Sequence, residues 1–385
     1  MKLAYFTLLV GIVNIVFSCS AADNPSAAEH PASSLTTMGF MSQKSVLLKE
    51  PIPSERLAKI SNIFDKISLK EDKEQAAILL YRYGIDKGKK YLINMARKGD
   101  MNSTLILSLN QEQGYREIIL KNLVEFSVLI KNGHDEIYIP WPMVMAISEW
   151  PGEDVNTALL RAYENNPDDS SFAVALSKRG YKEALPLIES SYRSLKERSN
   201  ATDDSLLTAL SIIKLDGKES QLLLERYSRE LLSVKTSSDL RLKISRGIFF
   251  TQDDKFVDTM RSFVEQINLR LPDVQKGIPG NNTVSAIDVA SLSYAIRFLM
   301  EINTNEDRVI ITSVLPLLSN SLRNEVLKKE LFSDSLKYAS NAEMKSLITS
   351  FFGKQMVDEQ EALLKLKIVP RYSLEINETL YDSIK

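Results

Sequence analysis

An all-α fold follows from three features of this 385-residue sequence. Apolar residues recur at helical spacing from Ile52 onward: Ala76, Leu79, Leu80 and Tyr83 fall at i, i+3, i+4 and i+7, and Ala184, Leu187, Ile188, Tyr192 and Leu195 continue the rule. Strand-like alternation is nearly absent; the one short candidate, Glu136 to Ile139, ends at Pro140. Helix-start signals agree, since Ser340-x-x-Glu343 has the form of a capping box and Asn305-Glu306-Asp307 sets a cap and two acids at a helix entrance.

Composition fits a folded soluble protein, with 44% hydrophobic and 25% charged residues. Whole-chain disorder, collagen-like repeats and a multi-pass membrane protein are thereby excluded. Lys plus Arg number 48 and Asp plus Glu 50, so no excess of positive charge exists to neutralise a phosphate backbone, and nucleic acid is not the expected partner. The chain has two His, His30 and His134, and a single Cys, Cys19. Neither a disulfide nor an ordinary structural zinc site can be assembled from that inventory, and no metal or cofactor is expected.

The N-terminus is an address. Lys2 precedes an apolar stretch from Leu3 to Phe17, interrupted by Thr7, Gly11 and Asn14 and followed by small residues around Cys19. A positive start, an apolar core too short to span a bilayer with ordinary flanks and a small-residue cleavage region define a secretory signal peptide over residues 1–18. The run Val16-Phe17-Ser18-Cys19 resembles the lipobox of bacterial lipoproteins: an aliphatic residue lies three before the cysteine and a small one directly before it, with Phe17 bulkier than the pattern. The resemblance implies that Cys19 becomes the mature N-terminus and carries acyl chains, and that Ser20 behind it directs the protein to the outer membrane, facing the periplasm. Ordinary cleavage after Ser20-Ala21-Ala22 is the alternative and makes a soluble periplasmic or secreted protein. Residues 19–50 are rich in Ala, Ser, Pro and Thr, and between Ser20 and Met38 the only large aliphatic is Leu35. Such a tract reads as a disordered tether, with a reach on the order of 30 Å.

Repetition organises the rest. Four apolar helical segments stop at a glycine, namely Gly84, Gly114, Gly180 and Gly217, each followed by another apolar helix. A glycine after the last turn accepts the left-handed conformation of a C-cap and allows a tight reversal. Gly114-Tyr115-Arg116-Glu117 matches Gly180-Tyr181-Lys182-Glu183 in kind, and the unit is 28 to 38 residues long. Gly180-Tyr181-Lys182-Glu183-Ala184-Leu185-Pro186-Leu187-Ile188 resembles a HEAT-like repeat junction. That resemblance implies a right-handed α-solenoid, an α-α superhelix of helical hairpins with one extended binding surface. Tetratricopeptide repeats are the rival, through Asn166-Pro167-Asp168-Asp169. The expected organisation is helical repeats over 51–270, a loop over 271–283 containing two Pro and two Gly, and a C-terminal helical segment of degenerate repeats over 284–385.

Catalytic motifs are missing: no Gly-x-Ser-x-Gly, His-Glu-x-x-His, phosphate loop or Cys-x-x-Cys is present. His134 is the sole histidine outside the tether, and His134-Asp135-Glu136 cannot all face one ion in regular structure. Two features remain as binding candidates. The segment 132–150 reads as an insertion carrying Tyr138, Trp141 and Trp150 between Pro140, Pro142 and Pro151, a composition that suits either a binding hot spot or a plug between repeats. A basic run from Arg82 to Lys98, including Lys87 and Lys90, suits either a solvated face or an acidic partner.

These features predict a non-catalytic envelope lipoprotein whose repeat body is a protein-binding scaffold at the membrane surface, with a partner that the sequence does not specify. The alternatives are a periplasmic polysaccharide-active α/α-toroid enzyme, working through carboxylates such as Glu225, Glu230 and Glu265, and a glycan-binding module with Trp141 and Trp150 exposed and coplanar.

Overall fold

The computed structural model describes residues 45–49, 51–134, 136–198, 203–268, 286–321, 353–370 and 375–384, with single positions at 331, 346, 349 and 350. The expected signal peptide, Cys19, His30, most of the expected tether, the expected 271–283 loop and the Ser340-x-x-Glu343 capping-box sequence lie outside them.

The fold is all-α, a solenoid-like succession of helices that pack against their sequence neighbours. The chain divides into two units, residues 1–151 with 355–385, and residues 152–354. Unit 1 contains a short strand β1 (Ser45–Leu47), helices α1 (Ser54–Ile63), α2 (Lys70–Arg82), α3 (Asp86–Arg97), α4 (Met101–Leu109), α5 (Arg116–Lys131) and α6 (Trp141–Ser148), and the C-terminal elements α16 (Lys354–Leu363), β2 (Glu375–Asn377) and α17 (Glu378–Ile384). Unit 2 holds α7 (Glu153–Asn165), α8 (Ser170–Lys178), α9 (Leu185–Arg198), α10 (Asp203–Lys214), α11 (Ser220–Leu232), α12 (Ser238–Thr251), α13 (Val257–Asn268), α14 (Ala286–Ile302) and α15 (Asn305–Ser321).

Helices alternate between two rows. In unit 2, α8, α10, α12 and α14 stack consecutively, while α11, α13 and α15 form the second row. In unit 1, α4 packs on α6 and α3 on α5. Four helices have no polar face over most of their length: Ser103–Leu109 of α4 and Pro142–Ser148 of α6 in unit 1, and Ser170–Ser177 of α8 and Ser205–Ile213 of α10 in unit 2, are buried all round. Within these stretches the polar side chains are all hydroxyls, and several of them return a hydrogen bond to their own helix. Ser108 Oγ donates to Leu105 O at 2.7 Å, Ser148 to Met145 O at 2.6 Å, Ser177 to Val174 O at 2.9 Å, Ser211 to Leu207 O at 2.9 Å and Thr251 to Gly247 O at 3.1 Å. The pair of a large apolar residue and a hydroxyl (Leu107-Ser108, Ile147-Ser148, Leu176-Ser177, Leu210-Ser211, Phe250-Thr251) therefore marks the repeat more faithfully than glycine does.

Several expectations change. Gly84 and Gly180 are left-handed C-caps, at φ 76° and 67°, but at the other two junctions Gln111 and Asp216 take the left-handed position, at 50° and 59°. Gly217 is needed for space: a Cβ there would lie 2.6 Å from the Ile212 side chain. Segment 132–150 is no insertion, since Pro140 and Pro142 open α6, a first-row helix, and residues 136–139 form no strand. The cap of α15 is Thr304, not Asn305; Thr304 and Asp307 bond reciprocally, Asp307 N to Thr304 Oγ1 at 3.2 Å and Thr304 N to Asp307 Oδ2 at 3.0 Å. Asp307 also accepts from Arg261 at 2.8 Å, and Arg241 bonds Asp288 at 2.7 Å, so half-buried ion pairs tie α13 to α15 and α12 to α14.

The largest correction concerns the two ends of the chain. The segment 19–50, expected to be a disordered tether throughout, has structure near its end: Ser45–Leu47 pairs antiparallel with Glu375–Asn377 and Leu48 is buried. The segment 284–385 is not one body either: its last 31 residues, 355–385, belong to unit 1. Ile376, Leu380 and Ile384 join Leu48, Ile52, Leu57, Ile60, Phe64, Ala76, Ala77, Leu79 and Leu80 in one apolar core. Aliphatics at positions 376, 380 and 384 recur every fourth residue, which gives the C-terminus one face to bury.

The tightest packing in unit 1 is between α2 and α3. A Cβ on Gly88 would lie 2.3 Å from Ala77 O and 2.4 Å from Tyr81 N, both backbone atoms of α2. Gly88→Ala is expected to lower stability by about 3 kcal/mol, because the helices must separate. Gly99→Ala, at φ 80° with open space around it, should lower it by about 1 kcal/mol through backbone strain alone. Denaturant melts that rank the two equally would refute the close crossing.

Candidate functional site

The densest polar arrangement in unit 1 lies at the C-terminal ends of α2 and α4. Both helices end buried among their neighbours, so their last carbonyls and the chain that follows need partners. Gln111, in the left-handed region, turns the chain after α4 and brings Glu112 back toward α2. Glu112 accepts three hydrogen bonds: from the Tyr81 hydroxyl at 2.9 Å, from Lys89 Nζ at 2.7 Å and from Lys367 Nζ at 3.1 Å. Burial pushes its carboxyl up, but the bonds from Lys89, Tyr81 and Lys367 together outweigh burial and hold it below the usual carboxylate range. The same bond keeps Lys89 above its ordinary value, while burial and then the Glu112 charge push the Tyr81 phenol up.

Beside this carboxylate, two residues of an extended segment are held by their main chain. Lys367 N donates to Arg82 O at 2.9 Å, and the Arg82 guanidinium donates to Lys367 O at 2.8 Å. Ile368 N donates to Asn110 Oδ1, and Asn110 Nδ2 donates to Ile368 O, each at 2.7 Å. Four consecutive backbone groups are thus paired by two residues at helix ends, as a neighbouring strand would pair them. The Lys367 ammonium also lies 5.8 Å from the centre of the Tyr81 ring.

The residues expected from sequence are not assembled into a site. Cys19 lies outside the described residues. Trp150 is fully buried with the Arg116 guanidinium 5.9 Å from its ring, and Trp141 is partly buried at the start of α6, so no coplanar stacking face for sugar exists there. The plug reading of the aromatic segment describes Trp150, whereas Tyr138 is 59% exposed. Lys87 is bound to Asp65 at 2.8 Å and to Ser61 O at 3.1 Å, and Lys90 lies exposed on the outer face of α3. Glu225 accepts from Gln221 and Glu230 from Arg226, each four residues away along α11. His134 Nδ1 is 3.1 Å from Glu136 Oε1 in an exposed loop.

No known family model matches this chain, and no curated protein or solved structure is significantly similar to it. Among the described residues, no group of three or more His, Cys, Asp and Glu is placed to hold a metal, and no helix is long and apolar enough to cross a membrane.

Unit 2 has a polar cluster of its own. Asp169 caps α8 by accepting from Ser171 N at 2.9 Å, with buried Tyr163, Ser171 and Ser191 nearby and Asp204 held by Ser170 at 2.6 Å. Burial, reinforced by the Asp204 charge, pushes the Asp169 carboxyl from 3.8 up to about 6.

Two stability measurements test this electrostatic description. The lowered pKa of Glu112 means its contribution is present above its unfolded value and fades as pH falls through the folded one. Glu112→Gln should therefore be less stable than wild type by about 2 kcal/mol at pH 7 and indistinguishable from it near pH 3; a deficit that ignores pH would refute the ionic clasp. Asp169 has the opposite sign, since its penalty appears as pH rises past the unfolded value and is complete above about 6. Asp169→Asn keeps the cap and should exceed wild type by about 1 kcal/mol at pH 8 and match it at pH 3, with no gain at pH 8 as the refuting result.

Proposed function

We propose that this chain is a non-catalytic scaffold of the bacterial envelope, anchored by lipid on Cys19, and that its helical-repeat body, HEAT-like in the form of its junctions, docks a protein partner. The observation that carries the reading is the helix-end face of Arg82, Asn110 and Glu112, which holds an extended chain by its backbone. A surface that satisfies main-chain groups in pairs is equipped for polypeptide, because those groups recur in every residue of any sequence. Stacked helices present such ends side by side, and repeat proteins bind through surfaces built in that way.

The anchoring part rests on the sequence. Val16-Phe17-Ser18-Cys19 resembles a lipobox, and the segment behind it is rich in small and polar residues, with Leu35 the only large aliphatic between Ser20 and Met38. A tether between anchor and body lets the scaffold reach partners away from the bilayer surface.

Cys19→Ala should abolish acyl labelling and move the protein from the membrane to the soluble fraction; unchanged membrane partition sinks the lipid anchor. Extraction of the wild type in mild detergent tests docking. The scaffold reading expects a complex containing a second polypeptide, and a particle of the processed chain alone would count against it.

A further inference from the structure

We propose that the Arg82–Asn110–Glu112 face is a lysine-reading site for an extended peptide and that the chain's own segment 366–368 occupies it as a latch. The proposal rests on the scaffold reading for its partner and adds the partner's chemistry and its competitor.

Main-chain pairing gives the site its grip without regard to sequence. The N–H and C=O of Ile368 both bond Asn110, and those of Lys367 both bond Arg82. Selectivity comes from Glu112. Its Oε2 is engaged by Lys89 at 2.7 Å, and its Oε1 is shared by the Tyr81 hydroxyl at 2.9 Å and Lys367 Nζ at 3.1 Å. A single point cation fits the acceptor position left over. An arginine needs both oxygens for its two-pronged geometry, and Lys89 already holds one of them. The site therefore prefers lysine to arginine, and either to a neutral residue.

The resident segment is replaceable. The Lys367 side chain is 42% exposed, which puts its ion pair in the weak, solvent-screened class. What holds the C-terminus in unit 1 is apolar: Val369, Ile376, Leu380 and Ile384 are buried to 4% exposure or less. Residues 366–368 can leave the face while these remain seated. While in place, the segment competes at an effective concentration in the range of millimolar, so an incoming peptide meets a self-inhibited site.

The test uses the full-length protein and a labelled pentapeptide copying Leu366–Pro370, with versions carrying Arg or Gln in place of the lysine. Wild type is compared with the double variant Lys367→Gln/Ile368→Pro, which removes the ammonium and one N–H of the latch. The variant should bind the lysine peptide at least about tenfold more tightly than wild type does, and prefer it about tenfold over the glutamine peptide. Adding Glu112→Gln should erase the lysine preference, and adding Asn110→Ala should weaken all three peptides alike. Hydrogen exchange at the residue 367 amide reports release of the latch. A folded variant that has released the latch yet binds no peptide, or binds all three equally, overturns the site. An amide that stays protected in the variant overturns the latch. Complex formation in mild detergent is read separately, so its success alongside either failure would leave the scaffold standing without this site.

Discussion

Helices buried on every side dictate much of this structure. A helix such as α8 has almost no solvent-facing stripe, so the polar groups in it and at its ends draw most of their partners from inside the stack. The interior is handled locally by hydroxyls that bond back along their own helix. The ends are handled by cations from adjacent segments. Lys214 Nζ donates to Gln252 O at 2.8 Å, Lys255 Nζ to Ile213 O at 2.5 Å, and Arg179 to Gly152 O at 2.9 Å. The two lysines place positive charge at the negative end of a helix or on the residue after it, where the macrodipole favours it, whereas Arg179 bonds the N-cap residue of α7. Carboxylates such as Asp216 and Asp254 then hold these lysines in position, at 2.7 Å and 3.1 Å.

The clasp in unit 1 applies the same chemistry to a non-helical segment. Arg82 belongs to the end of α2 as Lys214 belongs to the end of α10, but its carbonyl target is Lys367. Asn110 bonds Ile106 O of its own helix at 2.8 Å while reading Ile368, so one side chain closes the helix and binds the segment. A helix end built to satisfy a carbonyl is one substitution away from a site that holds a strange backbone, since the peptide group is the same ligand in both settings.

Fold class was legible because a helix-period pattern survives in the helices that keep a solvent-facing side, such as α3 and α7, and the hairpin succession because the segments are short and sequential. The mark of the repeat was harder to see. Glycine stands out in a sequence, yet Gln111, Asp216, Gln252 and Asn303 adopt the left-handed conformation as well, so glycine spacing undercounts the junctions. The signal that tracks them is a large apolar residue followed by a hydroxyl, and that pair is unremarkable until burial explains it. Trp150 misled for a related reason: proline and tryptophan together suit a loop, whereas here the prolines open a helix and the ring is sealed under Arg116. The clasp itself was invisible from sequence, since Asn110 and Ile368 are 258 residues apart and neither residue type is conspicuous. Asn110-Gln111-Glu112, a charged and amide run directly after a helix without charged residues, is the only local hint.

The end of a helical stack is where mutual burial fails, because a terminal hairpin has no neighbour over its outer face. Unit 1 covers that face with the far end of the same chain, through β2 against β1 and α17 against α1. Closing so long a loop costs little more than closing a short one, because the entropy grows only with the logarithm of length. The two attachments differ in kind. Ile376, Leu380 and Ile384 are at most 2% exposed, while Lys367 and its bonds lie at the rim. Local opening starts at the weaker attachment, so release of the proposed latch does not require the cover to lift. A vacated clasp then sits on hairpins whose core is still complete, which keeps Arg82, Asn110 and Glu112 fixed for the next backbone they meet.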